Sequence, residues 1–252
     1  MKSFSLKKYK KMFISFFNTY RCEKTGFIYQ YVNGYRVYLR FREEFLSKKE
    51  LDYLCKNIYY KFYMPKNNDT VICIGAGLGH ESIWLNSIVK NIKYIGIEIQ
   101  PIVYELLSNT FRENKKMQAF SNAINNNKKN LVRIGSSVDY TAVNEVEDGC
   151  IQINTSTWNE FIEKYKIKKI NLLQINIEGA EKYLLPMIKN FKNIKNIIIS
   201  THDFRAERGH GEFFRTKNFV KKYLESKGYS VVVCGKKSRE KDWLYATYDK
   251  TH

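Results

Sequence analysis

The sequence predicts an α/β protein of the Rossmann-like kind: a seven-stranded, mostly parallel sheet with helices on both faces, closed by a terminal antiparallel hairpin. Three observations predict it. From residue 70 onward, short β-rich runs alternate with helical stretches, the rhythm of a parallel sheet wound through crossover helices. The apolar run Val71–Ile74 leads directly into Gly75-Ala76-Gly77-Leu78-Gly79 and then into a helical stretch. The last two runs, Ser230–Cys234 and Trp243–Tyr248, are separated only by the polar segment Gly235–Asp242. That segment is too short for a crossover helix, so the two strands pair antiparallel.

Taken in order, residues 1–65 form a helical or mixed extension packing on the core, and residues 66–252 form the main domain. Lys7, Lys8, Lys10 and Lys11 precede the apolar run Met12-Phe13-Ile14-Ser15-Phe16-Phe17. The run is too short for a signal peptide and has no small-residue cleavage site before Arg21. It reads in one of two ways: as a helix packing Phe13, Phe16 and Phe17 on the body, which is favoured, or as a basic amphipathic helix in weak contact with an anionic membrane. Tyr35–Arg40 alternates like a short strand. Ser47 with Glu50 opens a capped helix through Tyr60, and Pro65 with Lys66–Asp69 ends it. The remaining strands are Tyr94–Glu98, Met117–Phe120, Ile170–Ile175 and Ile197–Ser200. Asn125–Asn130 reads as a loop. Residues 131–160 carry no strong helix and read as an inserted hairpin or loop over the sheet.

Hydrophobic residues make up 44% of the 252-residue chain and aromatics 15%, enough for a sizeable core and against disorder. Lys and Arg number 43 against 25 Asp and Glu, a net charge of +18. Such a surface favours anionic partners: nucleic acid, phosphorylated glycans or anionic membrane. The basic residues are scattered, as they also are on the soluble surface of a lysine-rich proteome. Cys22, Cys55, Cys73, Cys150 and Cys234 are odd in number and include no CxxC pair, which argues against disulfides and zinc and for a reducing, cytoplasmic location. Four histidines without an HExxH spacing give no metal site. No stretch has the length of a membrane span.

The glycines at Gly75, Gly77 and Gly79 let the chain turn tightly and let a ligand lie against the peptide groups. A dinucleotide fingerprint would need glycine at position 80, where His80 stands, and no Lys-Ser/Thr follows to make a P-loop. Glu98 ends the second strand 19 residues after Gly79, where an acid can accept both hydroxyls of a ribose.

With these features, Gln174-Ile175-Asn176-Ile177-Glu178-Gly179-Ala180-Glu181 resembles the strand end K-x-D-x-E-G-x-E of the FkbM family of S-adenosylmethionine-dependent O-methyltransferases. Cys73–Gly79 resembles that family's D-x-G-A-x-x-G loop. Glu98-Ile99-Gln100-Pro101 resembles its Glu-Pro element, Ser121-Asn122-Ala123 its N-x-A segment, and Ser200-Thr201-His202-Asp203 its E/S-x-H element. The resemblance covers about residues 65–250. It implies a class I methyltransferase fold, S-adenosyl-L-methionine as cofactor with S-adenosyl-L-homocysteine as product, and O-methyl transfer to a sugar, glycan or related small molecule. The cofactor residues it implies are Cys73, Gly75, Ala76, Gly77, Gly79, Glu81, Glu98, Ile99, Asn122, Ala123 and Asn176. Cys73 and Asn176 depart from the family, which has Asp at both places. Losing two acids weakens the hold on the cofactor's cationic amino group unless Glu178 and backbone carbonyls compensate.

Methyl transfer to oxygen needs a positioned nucleophile and a base. His202, at the end of the fifth strand, is the candidate base, or is oriented by Asp203, Glu178 or Glu181. The segment Arg205–Arg215 reads as a substrate-facing lid or as a solvated charged loop. Arg205, Arg208, His210 and Arg215 within it, and Glu181 outside it, are the substrate candidates, the arginines suiting a phosphate or carboxylate on the acceptor. The alternatives are an RNA methyltransferase, suggested by the charge and the 19 tyrosines, and a cofactor-binding protein of reduced activity, suggested by Cys73 and Asn176. Nucleic acid is not favoured, because no known nucleic-acid module is visible. A nicotinamide enzyme is disfavoured by His80 and the terminal hairpin.

Overall fold

The computed structural model describes residues 6–125, 131–134, 151–237 and 239–248. The N-terminal extension runs α1 (Leu6–Asn18), β1 (Tyr20–Arg21), β2 (Ile28–Val32), β3 (Tyr35–Leu39) and α2 (Lys48–Leu54). The side chain of Ser47 accepts the Glu50 N–H and caps α2, as the spacing predicts. The helix ends earlier than predicted and continues as a π-turn over Cys55–Tyr59. β1, β2 and β3 form a small antiparallel sheet. Val32, Val37, Tyr38 and Leu39 join the core on one face of the main sheet, together with Leu85 and Val103, so the extension is anchored by buried apolar area. α1 departs from the favoured expectation: Phe13, Phe16 and Phe17 do not pack on the body but are 67%, 62% and 63% exposed.

The main domain follows the predicted alternation: β4 (Thr70–Ile74), α3 (His80–Ile88), β5 (Lys93–Ile97), α4 (Pro101–Phe111) and β6 (Met117–Phe120). β7 (Ala123–Ile124), β8 (Leu131–Ile134) and β9 (Ile151–Ser156) form a second small sheet. β8 and β9 make the expected antiparallel pair. Most of the Asn125–Asn130 segment lies outside the described residues. α5 (Trp158–Lys164) begins inside the stretch in which no strong helix was predicted. Its signal is a capping box, Thr157 with Glu160, followed by Trp158 and Phe161, both buried in the core. Seven residues are too short for a clear helical period, so only the cap marks it.

The rest is β10 (Ile170–Ile175), α6 (Glu181–Met187), β11 (Ile194–Ser200), α7 (Asp203–Glu207), α8 (Lys217–Ser226), β12 (Tyr229–Val233) and β13 (Trp243–Tyr248). The main sheet has seven strands in the order β12-β13-β11-β10-β4-β5-β6. Its parallel core pairs β10 with β4 and β11, and β4 with β5. Alternation along the strands feeds two cores. Val71, Cys73, Tyr94, Leu172 and Ile198 face α3 and α4, whereas Ile72, Ile74, Ile95, Leu173 and Ile197 face α5, α6 and α8. Each such side chain contributes roughly 1.5–3 kcal/mol on burial. The terminal hairpin is present, and β13 is inserted antiparallel between β11 and β12. Ser200 therefore lies beside Trp243, and the β12–β13 loop arrives at the carboxyl edge of the sheet.

Candidate functional site

Three cavities line that edge, and Asn176 and Glu178 border all of them. The first, about 200 Å³, lies between Glu98, Ile99, Asn122 and Ala123 on one side and α6 residues Leu184 and Met187 on the other. The second, about 300 Å³, lies over Cys73, Ala76, Gly77 and Glu81, with Leu54 and Tyr59 of the extension above. The third, about 690 Å³, is walled by His202, Arg208, Arg239, Lys241 and Trp243.

The glycine loop is built for close approach. Gly75 has φ +77°, and a Cβ there would stand 2.0 Å from the Asn176 carbonyl oxygen, so β4 and β10 meet as bare backbone. At Gly77, φ +54°, a Cβ would meet nothing within 4 Å, leaving room against the loop. Glu98 is buried at 7% exposure. One carboxylate oxygen accepts the Gly77 N–H at 3.0 Å, and the other accepts those of Ile99 and Gln100 at 2.8 and 2.9 Å. Burial raises this carboxyl, and the three N–H donors oppose the rise. Asn122 donates to Ser156 at 2.9 Å, which ties the third-strand segment to β9.

Cys73 lies below the loop. Burial pushes its thiol well above the ordinary value, so it carries no charge at neutral pH. Its Sγ stands 4.0 Å from Glu81 Oε1, in the first turn of α3. Burial pushes the Glu81 carboxyl up to about 7. The carboxyl of Glu81 thus borders the same cavity as Cys73, where the family has Asp.

The third cavity holds the charge cluster. His202 is 2% exposed. Its Nε2 lies 3.5 Å from Glu178 Oε1 and its Nδ1 lies 2.9 Å from Glu181 Oε1. The Nδ1 contact is off-line for a hydrogen bond and acts as a close ion pair. Burial by itself would depress the imidazole, but the two carboxylates outweigh it and raise His202 to about 9. Burial likewise would raise Glu178; His202 and Arg205 outweigh it and hold that carboxyl below its ordinary value. Arg205 Nη1 donates to Glu178 Oε2 at 2.7 Å while its guanidinium lies over the Phe214 ring. Glu178 itself has φ +53°, a conformation that a non-glycine residue holds only when its surroundings impose it. Gly179 follows at φ +101°, where a Cβ would stand 2.6 Å from the Phe213 ring.

Not every predicted residue reaches the site. Asp203 is turned to α8, accepting the Thr216 and Lys217 N–H groups at 3.0 and 2.9 Å; it fastens a helix end. Glu181 is fully buried and stands behind His202, so it faces no acceptor. Arg205 is held by Glu178. Arg215 is paired with Glu212 at the surface, and His210, an exposed partner of Arg205, borders none of the three cavities. Of the predicted acceptor residues, Arg208 lines the third cavity. Arg239, Lys241 and Trp243 were not predicted. Their signal was the hairpin itself, because an antiparallel β13 starts where β11 ends. Among the described residues no His, Cys, Asp and Glu cluster could hold a metal ion, and no helix is long and apolar enough to cross a membrane.

The methyltransferase FkbM domain matches residues 56–231. The chain belongs to the FkbM methyltransferase family. A solved structure agrees on the fold. The O-methyltransferase from Bacillus cereus in complex with SAH superposes with a TM-score of 0.50 at 10% identity, covering 81% of this chain and 83% of that one. Aeropyrum pernix fibrillarin with natively bound S-adenosyl-L-methionine gives 0.46 at 14% identity, covering 91% and 98%. No curated protein matches the sequence significantly. Membership makes this chain an S-adenosylmethionine-dependent class I methyltransferase, and the residues present fit that cofactor. Glu98 can accept from a ribose, Ile99 with Leu184 and Met187 offers an apolar slot for a base, and the open face at Gly77 leaves room for the chain that joins nucleoside to amino acid.

Proposed function

We propose that the enzyme transfers the methyl group to a hydroxyl oxygen of a sugar, glycan or related small molecule bearing an anionic group. One observation carries this: the two cavities that suit the cofactor and the large cavity beside His202 share Asn176 and Glu178 as a common wall. Donor and acceptor would meet there. The acceptor cavity combines the aromatic faces of Tyr59 and Trp243 with Arg208, Arg239 and Lys241. Aromatic faces suit a sugar ring, and the basic groups suit a phosphate or carboxylate.

When bound, the cofactor supplies an electrophilic methyl on a sulfonium. The chain does the rest. Glu98 and Asn122 hold the nucleoside. Glu81 receives the cationic amino group in place of an acid at position 73, with the Asn176 amide oxygen as a further acceptor. The negative charge of Glu181, 2.9 Å from His202 Nδ1, favours the proton on that nitrogen, which leaves Nε2 as acceptor. Neutral His202 then takes the hydroxyl proton at Nε2, and Arg205 keeps Glu178 beside it. Because the two carboxylates favour imidazolium, this step gains from rising pH.

The test is to incubate the protein with S-adenosylmethionine and a panel of phosphorylated and acidic sugars, with bulk tRNA in parallel. S-adenosylhomocysteine release and a new O-methyl resonance are the readouts. Turnover with an anionic sugar is the expected result. Methylation of tRNA alone would replace this proposal with RNA modification. Cofactor binding without product on any acceptor would favour a binding protein of reduced activity.

A further inference from the structure

α1 is docked with its polar side inward. Ser15 is 1% exposed and Thr19 6%. Arg42 donates to the Phe16 carbonyl at 3.0 Å and to Thr19 Oγ1 at 2.7 Å, clamping the end of the helix to the body. The other side carries Met12, Phe13, Phe16 and Phe17, all more than half exposed. Phe17 joins the three rings into one raft, its centroid 4.9 Å from Phe13 and 5.6 Å from Phe16. In a water-soluble protein an amphipathic helix turns its apolar stripe to the core. Here it is turned to the outside, so the raft needs a partner.

Charge says which partner. The first 22 residues contain Lys2, Lys7, Lys8, Lys10, Lys11 and Arg21 and not one Asp or Glu. At about 100° per residue the three phenylalanines fall within one arc of the helix, and the exposed Lys10 borders Phe17. A second copy of the chain would bring two such basic, acid-free segments together. Thirteen residues span only about 20 Å, too short to cross a bilayer and sufficient to lie in its surface.

We propose that α1 is a surface anchor for a bilayer containing anionic lipid. Its phenylalanine raft enters the boundary between headgroups and acyl chains, Lys10 at the border of the raft meets the headgroups, and the acid-free basic segment draws the helix to an anionic surface. Aromatic insertion and headgroup charge act together, as they do for helices lying in the membrane plane.

The full chain is tested by flotation with phosphatidylcholine vesicles, with and without about 30% phosphatidylserine. Binding is expected on the anionic vesicles. Joint replacement Phe13→Ser, Phe16→Ser and Phe17→Ser lowers the partition coefficient on the order of a hundredfold. Joint replacement of Lys7, Lys8, Lys10 and Lys11 by Gln does the same or more. Because the three rings are exposed, the first variant keeps its melting temperature, which separates lost anchoring from lost folding. Equal binding of the phenylalanine variant would overturn the proposal, leaving only nonspecific attraction by a +18 chain. So would absence of vesicle binding, or a dimer in gel filtration that dissociates in the phenylalanine variant.

Discussion

If His202 is the base, the pH profile of kcat/KM must climb through a range in which most enzymes are already level. The imidazole is raised from 6.5 to about 9, so about 1% of it is neutral at pH 7. Activity then rises roughly tenfold per pH unit from 7 to 8 and levels above 9. The carboxylate of Glu181, 2.9 Å from Nδ1, is part of the cause. Glu181→Gln therefore moves the midpoint toward neutrality by about one unit, and at pH 7 this variant equals or exceeds the parent. His202→Gln loses the rising limb and about 10²–10⁴ in rate. Stability runs the opposite way. A folded-state value above the unfolded one stabilises fully below pH 6.5 and is lost as pH rises through 9. The contribution is on the order of 3 kcal/mol, so the parent's melting temperature falls between pH 7 and 9, and that of His202→Gln falls less. The assay is steady-state release of S-adenosylhomocysteine with parallel calorimetric melts. A flat rate profile from pH 7 to 9, or an unmoved midpoint in Glu181→Gln, would refute the role of His202 as base.

Two further outcomes are expected. Glu81→Gln weakens S-adenosylmethionine binding by about tenfold in titration calorimetry. In the parent the affinity rises between pH 6 and 8 as Glu81, held near 7, ionises; equal affinity in the two proteins would remove Glu81 from the site. Asp203→Ala removes the acceptor for two N–H groups at the start of α8 and costs about 1 kcal/mol of stability, with turnover retained at a temperature well below the melt; a large loss of turnover would return Asp203 to the chemistry.

Much of this protein follows from local pattern. Alternating β-rich and helical runs, the glycine loop at a strand end, Glu98 19 residues beyond it, and a final loop too short for a helix are all local or near-local signals. Together they determined the sheet, the hairpin and the edge of the sheet where a ligand binds, while the family and its cofactor came from the resemblance carried by Cys73–Gly79 and Gln174–Glu181. The same signals stop short where position depends on what packs from elsewhere in the chain. The order of the last strands was decided by β13 finding its partner in β11, and that brought Arg239, Lys241 and Trp243 to the site. His202 and Glu181 are 21 residues apart in sequence, and only burial side by side raises the histidine. Asp203 and Glu178 are equally plausible bases as letters, yet helix capping takes one and the site the other. The orientation of α1 was likewise undecidable from its stripe. A helical period shows that an apolar face exists, but only the tertiary contacts through Ser15, Thr19 and Arg42 decide whether that face looks inward or out.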